Sequence, residues 1–199
     1  MALHVSGEDA GARLMLAWQA GDEAAFDRLV ERYSGQVYAL LTRFLGRSSA
    51  REDLVQEVFL RVIRARGRYR PSARFTTWLY RIVFNLCVNQ TQRSPGREAA
   101  SLDARGPSDD GAPEVADDAG DDPARELARA DVVHAVRAAI AELPDAQRMA
   151  LVLAKYEDMP YLEIGEVLGA SEKAIKSLVH RARENLRARL APFLSEELQ

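Results

Sequence analysis

The sequence predicts an all-α protein of two helical domains, one over residues 11–93 and one over 125–199, joined by an acidic flexible linker over 94–124. Apolar residues recur at helical spacing on both sides of the linker, and no stretch alternates apolar with polar residues as a half-buried strand would. The middle segment is rich in Pro, Gly, Ser, Asp and Ala, with Leu102 and Val115 as its large apolar residues, so it buries too little to offset its own ordering.

Leu14, Leu16 and Trp18 mark the first helix. Gly21 and Asp22 interrupt it, with Asp22 the expected N-cap of the second. Phe26, Leu29, Val30, Tyr33, Val37, Leu40, Leu41 and Phe44 then form one apolar face that Gly46 closes. After a polar turn from Arg47 to Ala50, a third helix carries the stripe Leu54, Val55, Val58, Phe59, Val62 and Ile63. Gly67 and Pro71 break it, and a fourth helix is expected from about Thr76 to Gln92.

Beyond the linker, helices are read at roughly 124–142, 145–156, 161–168 and 172–190. Pro160 sits near the first position of the third, and Ser171 is the N-cap of the fourth, followed by Glu172 at its positive end. Two helices joined by the short turn Gly169-Ala170-Ser171 fit a helix-turn-helix. Ile164, Val167, Leu168, Ile175, Leu178 and Val179 would lock the pair, leaving Lys173, Lys176, Ser177, His180, Arg181 and Arg183 outward.

Net charge is −3, which alone argues against nucleic acid. Residues 94–124 hold nine acids against Arg97 and Arg105, leaving the rest of the chain at +4, and local fields steer binding. Between Arg61 and Arg93 stand eight arginines and no Asp or Glu, interleaved with Tyr69, Phe75, Trp78, Tyr80 and Phe84. That composition tracks a phosphate backbone and stacks unpaired bases, which points to strand-separated nucleic acid. It is also compatible with a helix whose aromatics are core and whose outer face is basic. Cys87, the one cysteine, lies in an apolar run and is read as a buried, inert thiol suited to a reducing compartment. No apolar run is long enough to span a bilayer and Met1 to Ala10 has no secretory pattern, so a cytoplasmic location is expected. His4, His134 and His180 lack a metal-ligand pattern, no catalytic constellation is visible, and neither cofactor nor metal nor enzymatic activity is expected.

Several motifs in fixed order carry a resemblance. Gly21 to Phe26, Glu52 to Phe59 and Phe75 to Asn85 resemble the second conserved region of bacterial sigma factors. Leu143-Pro144 through Tyr156, Tyr161 to Gly165 and Ser177 to Arg183 resemble their fourth region. With only these two regions and a linker, the chain is similar to the extracytoplasmic-function (ECF) class. The resemblance implies a protein that binds core RNA polymerase, directs it to promoters, helps open the duplex and is masked by an anti-sigma partner. It places Asp53, Gln56, Glu57 and Phe59 in the motif that docks on the polymerase largest subunit. It places Arg61, Ala65, Tyr69, Arg70, Arg74, Phe75, Trp78, Arg81 and Asn85 where the −10 element is read as single strand. Lys173, Lys176, Ser177, His180, Arg181 and Arg183 fall on the helix that reads the −35 element as duplex.

The physics agrees with such a division. An aromatic face at Tyr69 and the amide of Asn85 suit a flipped base, while a long helix in a major groove reads guanine through Lys and Arg. Opening about 12 base pairs costs on the order of 17 kcal/mol at roughly 1.4 kcal/mol per step. Stacking a few bases returns only about 1–3 kcal/mol each, so a larger partner must hold the strands. The linker either mimics RNA charge inside polymerase or is an inert tether. Leu178 stands where many relatives have Arg and Lys173 where many have Gly, so the −35 preference is this chain's own. Asn89 to Gln92 is less charged than the family pattern at the end of the melting helix. An autonomous helix-turn-helix regulator is the rival reading; it explains residues 161–190 and leaves the arginine segment unused.

Overall fold

The computed structural model describes residues 9–46, 51–93 and 123–196, and the linker expectation lies outside the described residues apart from its last two positions. All described secondary structure is helical. α1 (Ala10–Gln19), α2 (Ala24–Leu45), α3 (Arg51–Ala65) and α4 (Phe75–Arg93) form the first block, with a 3-10 turn at Arg66–Arg68. α5 (Pro123–Ala141), α6 (Asp145–Tyr156), α7 (Tyr161–Leu168) and α8 (Glu172–Glu196) form the second.

In the first block α2 is the central helix, and α1, α3 and α4 pack against it. Its 3.6-residue stripe, Ala25, Leu29, Tyr33, Val37, Leu40, Leu41 and Phe44, is buried along its whole length. The stripe of α3 is narrower than its sequence suggests: Leu54, Val58, Phe59 and Val62 are buried, whereas Ile63 points outward. Leu16 is likewise exposed on α1, where Met15 and Trp18 take the core positions. Cys87 is fully buried.

One carboxylate organises the start of this block. Asp9 accepts from the backbone N–H groups of Gly11 (3.0 Å) and Ala12 (3.1 Å), capping α1, and from Phe75 N (2.7 Å), the first residue of α4. That brings Phe75 against Gly11 so tightly that a Cβ at position 11 would lie 2.5 Å from Phe75 Cγ and 2.6 Å from Tyr33 Oη. Asp22 does not cap α2, contrary to expectation. Its carboxylate is taken by Arg28 at 2.6 Å, and α2 begins after Glu23 with no side-chain cap.

In the second block α8 packs on α5, α6 and α7. Pro160 is the N-cap of α7, one place before the expected position, and α8 continues through Pro192, past its expected end. Gly169 ends α7 in the left-handed conformation (φ 68°), and Ala170 N donates to Gly165 O at 2.9 Å. A Cβ on Gly165 would sit 2.5 Å from the Ala170 carbonyl oxygen, so the close helix-to-turn approach requires glycine there. Ser171 Oγ accepts from Ala174 N (3.3 Å), the cap read from sequence.

The two blocks meet where α7 lies on α4 and α6 on α2. Arg148 of α6 is 5% exposed and donates to Phe44 O (2.8 Å) at the end of α2. It also donates to Leu143 O (3.1 Å) and to Ala141 O beyond and at the end of α5. Its guanidinium thus satisfies carbonyls that two helix C-termini leave without an intrahelical partner, with the helix dipoles aligned in its favour.

Gly11→Ala is expected to destabilise the chain by about 1–3 kcal/mol through overpacking against Phe75 and Tyr33. Thermal unfolding followed by circular dichroism measures this; an unchanged midpoint would show that the Asp9–Phe75 junction has slack.

Candidate nucleic-acid interface

Three surfaces collect the residues singled out in the sequence. The first is the loop before α4 together with α4 itself. Gln19 fixes its approach by donating to Tyr69 O (3.2 Å) and to Arg66 O. Arg66 lies over the Trp18 ring (4.6 Å) and pairs with Glu23 at 2.9 Å, so this arginine braces the block. Arg61 and Arg64 pair with Glu57 at 3.0 and 3.5 Å. Three of the eight arginines therefore neutralise acids of their own block.

Tyr69 and Phe75 are placed differently from the open stacking face expected of them. Tyr69 is 2% exposed and Phe75 fully buried, the two rings 6.1 Å apart edge to face. Trp78 covers Tyr69 at 4.9 Å and Phe75 at 5.6 Å, and is itself only partly buried. The cause is Asp9: by fixing the start of α4 it drives Phe75 inward, and Tyr69 follows. Burial pushes the Tyr69 hydroxyl well above the ordinary tyrosine value, so it stays neutral. What remains outward is Arg70, Arg74, Arg81 and Asn85, with Trp78 at the edge. Ala65 is half-buried at the end of α3.

α7 lies along one side of α4. Arg74 reaches Glu163 at 3.6 Å, Thr77 Oγ1 donates to Glu163 Oε2 at 3.3 Å, and Arg81 Nε donates to Glu166 O at 3.0 Å. Arg81, Phe84 and Asn85 line a cleft of roughly 410 Å³ with Glu166, Val167, Leu168 and Gly169 opposite. Beside it, Glu157 accepts from Tyr80 Oη (2.7 Å) and Arg43 (3.1 Å), bridging both blocks. Asp158, at φ 45°, turns the chain sharply after α6 and so aims Glu157 back at α2 and α4. None of Thr77, Glu157 or Glu163 was singled out from sequence, because their partners are 77 to 114 residues away.

The second surface is α8. Lys173, Lys176, His180, Arg181 and Arg183 are exposed along it, and Ser177 is half-buried with its hydroxyl donating to Lys173 O (3.1 Å). Val179, Ile175 and Ala182 face the core, which fixes the cationic side outward. Lys176 pairs with Glu172 at 2.8 Å, and that hydrogen bond raises its pKa. Such an exposed i,i+4 pair contributes little and is readily exchanged for another partner.

The third surface is α3. Asp53 and Gln56 are exposed and Glu57 half-buried, its carboxyl held below the usual range by the hydrogen bond from Arg61. Phe59 does not share that outer face. It is 7% exposed and packs edge to face on Phe26, 6.5 Å away.

Comparison with known proteins finds one family match in each block. Residues 29–94 match Sigma-70 region 2, and residues 134–186 match Sigma-70, region 4. The chain is 32% identical over 182 residues to the RNA polymerase sigma-H factor of Pseudomonas aeruginosa, covering 89% of this chain and 92% of that one. It is 30% identical over 172 residues to the ECF RNA polymerase sigma factor SigW of Bacillus subtilis, covering 85% and 91%. Among solved structures, CnrH in complex with the cytosolic domain of CnrY superposes with TM-score 0.66 at 28% identity, over 92% of this chain and 99% of that one.

The junction predicts an alkaline sensitivity. Burial, then the Tyr80–Glu157 hydrogen bond, raises the Tyr80 pKa far above its ordinary value of 10.0. Its contribution is therefore fully present below pH 10 and is lost as pH rises beyond that. Chemical denaturation between pH 8 and about 11 should show stability falling less steeply in Tyr80→Phe than in the parent chain. Equal slopes would mean that Tyr80 ionises as freely in the fold as in the unfolded chain.

Proposed function

The chain belongs to the extracytoplasmic-function class of RNA polymerase sigma factors, and on that premise we propose which of its surfaces meets polymerase and which meets each promoter element. It directs core polymerase to promoters as a DNA-binding regulatory subunit, with no catalytic step of its own, acting in the cytoplasm where polymerase is. The alternative of an autonomous regulator is not favoured, since the resemblance spans both blocks and not the helix-turn-helix alone.

The observation that carries the assignment is the exposed cationic side of α8, presented by a turn that requires Gly165 and Gly169. Lys176 and Arg181, on the exposed side of the helix, are assigned to −35 base edges in the major groove. Lys173, His180 and Arg183 contact phosphates and set register, and Ser177 bonds whichever acceptor lies nearest. On the first block, Arg70, Arg74, Arg81 and Asn85 hold the −10 element as single strand, with Asn85 reading a base edge and Trp78 offering a stacking edge. Tyr69 and Phe75 act from inside the block by positioning Trp78 and the loop, and Arg61 and Ala65 shape the end of α3. Asp53, Gln56 and Glu57 form the polymerase-docking face, and Phe59 anchors it from beneath. No helix among the described residues is long and apolar enough to cross a membrane. A cytosolic protein partner that masks these surfaces follows from the same reading, and CnrH was solved in complex with the cytosolic domain of CnrY.

Lys176→Ala or Arg181→Ala should each cost about 1–3 kcal/mol in promoter binding and relax preference at the −35 element alone. Measuring holoenzyme binding to a panel of −35 variants decides it, and an unchanged preference would remove these residues from base reading. Asn85→Ala should leave the thermal midpoint unchanged while reducing open-complex formation, monitored by permanganate reactivity of unpaired thymines. Intact reactivity would take Asn85 out of the −10 site.

A further inference from the structure

We propose that Arg68, on the 3-10 turn that follows α3, is a phosphate contact for the unpaired −10 strand, and that Gln19 of α1 is the positioning residue that holds it there. The inference rests on the reading of α4 and the loop before it as the −10 surface. It extends that surface back along the chain to a cation and a brace that lie outside it.

The turn Arg66–Arg68 buries none of its own side chains. A connector of that kind gains little from being fixed, since each ordered residue costs conformational entropy. Here it is nevertheless tied at both ends. The Gln19 amide donates to Arg66 O at its start and to Tyr69 O (3.2 Å) just past its end, while Tyr69 N closes it on Ala65 O at 3.0 Å. The Arg66 side chain adds a clasp: it lies over the Trp18 ring at 4.6 Å, donates to Trp18 O and pairs with Glu23 Oε1 at 2.9 Å. Glu23 takes the Trp18 indole N–H at 2.9 Å on its other oxygen, and Trp18 stacks on Phe26 at 4.5 Å. The Trp18 and Arg66 donors together hold the Glu23 carboxyl below its ordinary range.

Arg68 is what this brace presents. It is exposed, and among the described residues it has no acid, carbonyl or ring partner. The arginines around it are engaged: Arg64 with Glu57, Arg66 with Glu23, Arg70 with Tyr69 O at 2.8 Å and Arg74 with Glu163. A free cation on a turn whose backbone is already fixed on both sides loses little further freedom on meeting an anion, which is how a preorganised contact gains affinity. Position selects the anion. Tyr69, the next residue, packs against Trp78 at 4.9 Å, so the turn adjoins the edge offered to an unpaired base. Guanidinium donors take phosphate oxygens in pairs, a contact that sets register without reading sequence.

The experiment uses holoenzyme assembled from core polymerase and the full chain. The probe is a fluorescein-labelled fork junction from a template the chain transcribes, with its −10 non-template strand unpaired, and affinity is read by anisotropy across salt concentrations. Arg68→Ala is expected to weaken binding about fourfold near ~0.15 M salt and to flatten the salt slope by about 0.7, as the loss of one single-strand phosphate contact does. The loss should be equal across −10 sequence variants, and Arg68→Lys, which keeps the charge, should recover the slope. Gln19→Ala, which changes no charge, is expected to lose part of the same affinity and slope and to add nothing in the Arg68→Ala background. A merely structural Gln19 would lower the thermal midpoint and add its loss to that of Arg68→Ala, which overturns its positioning role. Unchanged affinity and slope in Arg68→Ala overturn the proposal. A loss confined to particular −10 sequences, or one already present in core-polymerase affinity without DNA, overturns the phosphate assignment. Asn85→Ala judges the −10 surface separately: impaired opening there beside an unchanged Arg68→Ala sinks this inference alone, whereas two unchanged variants sink the −10 reading itself.

Discussion

The first block depends on the Asp9 carboxylate, which closes the N-termini of two helices whose bonded residues are as much as 66 positions apart. Without it the first N–H groups of α1 and α4 would face a core with no acceptor. With it, α4 is pinned at Phe75 against Gly11 and Tyr33, and Trp78 closes over Tyr69. The rest of α4 is then fixed by its period: Leu79, Tyr80, Val83, Leu86 and Cys87 turn inward, and Arg81 and Asn85 turn outward. A capping interaction at one end of a helix thereby decides which side chains face outward at the middle.

Arg148 plays the corresponding part between the blocks. A buried guanidinium is costly to desolvate and is held where acceptors converge on it. Here the acceptors are backbone carbonyls at the ends of α2 and α5, with the Phe44 ring 4.8 Å away as a further electrostatic contact. The junction is polar in much of its remainder, through Glu157, Glu163, Thr77 and Asp145, which accepts from Thr91 at 2.8 Å. Polar interfaces between domains of one chain separate readily, as a protein that must spread along a promoter and a polymerase requires.

Much of this was legible in the sequence because helical periodicity and helix ends are local. Gly46, Gly169 and Ser171 end or start helices where composition puts them, and the inward and outward sides of α8 fall as the spacing of Ile175, Val179 and Ala182 dictates. The departures share one cause, competition from a distant partner. Asp22 loses its capping role to Arg28, Ile63 and Leu16 are left outside because Val62 and Met15 take the core, and Tyr69 is drawn in by Phe75. Composition counts arginines without saying which are spent on Glu57 and Glu23. The contact of α7 with α4 rests on pairs such as Thr77–Glu163, 86 residues apart, which no local pattern records.

The central claim is that this chain gives core polymerase its promoter preference through two separate surfaces. Run-off transcription by purified core polymerase on a randomised promoter library, with and without the protein, tests it most directly. The account predicts that templates enriched by the protein share two elements at fixed spacing, one at −35 and one at −10. Duplex binding by the protein alone, with no template enriched in the presence of core, would contradict it.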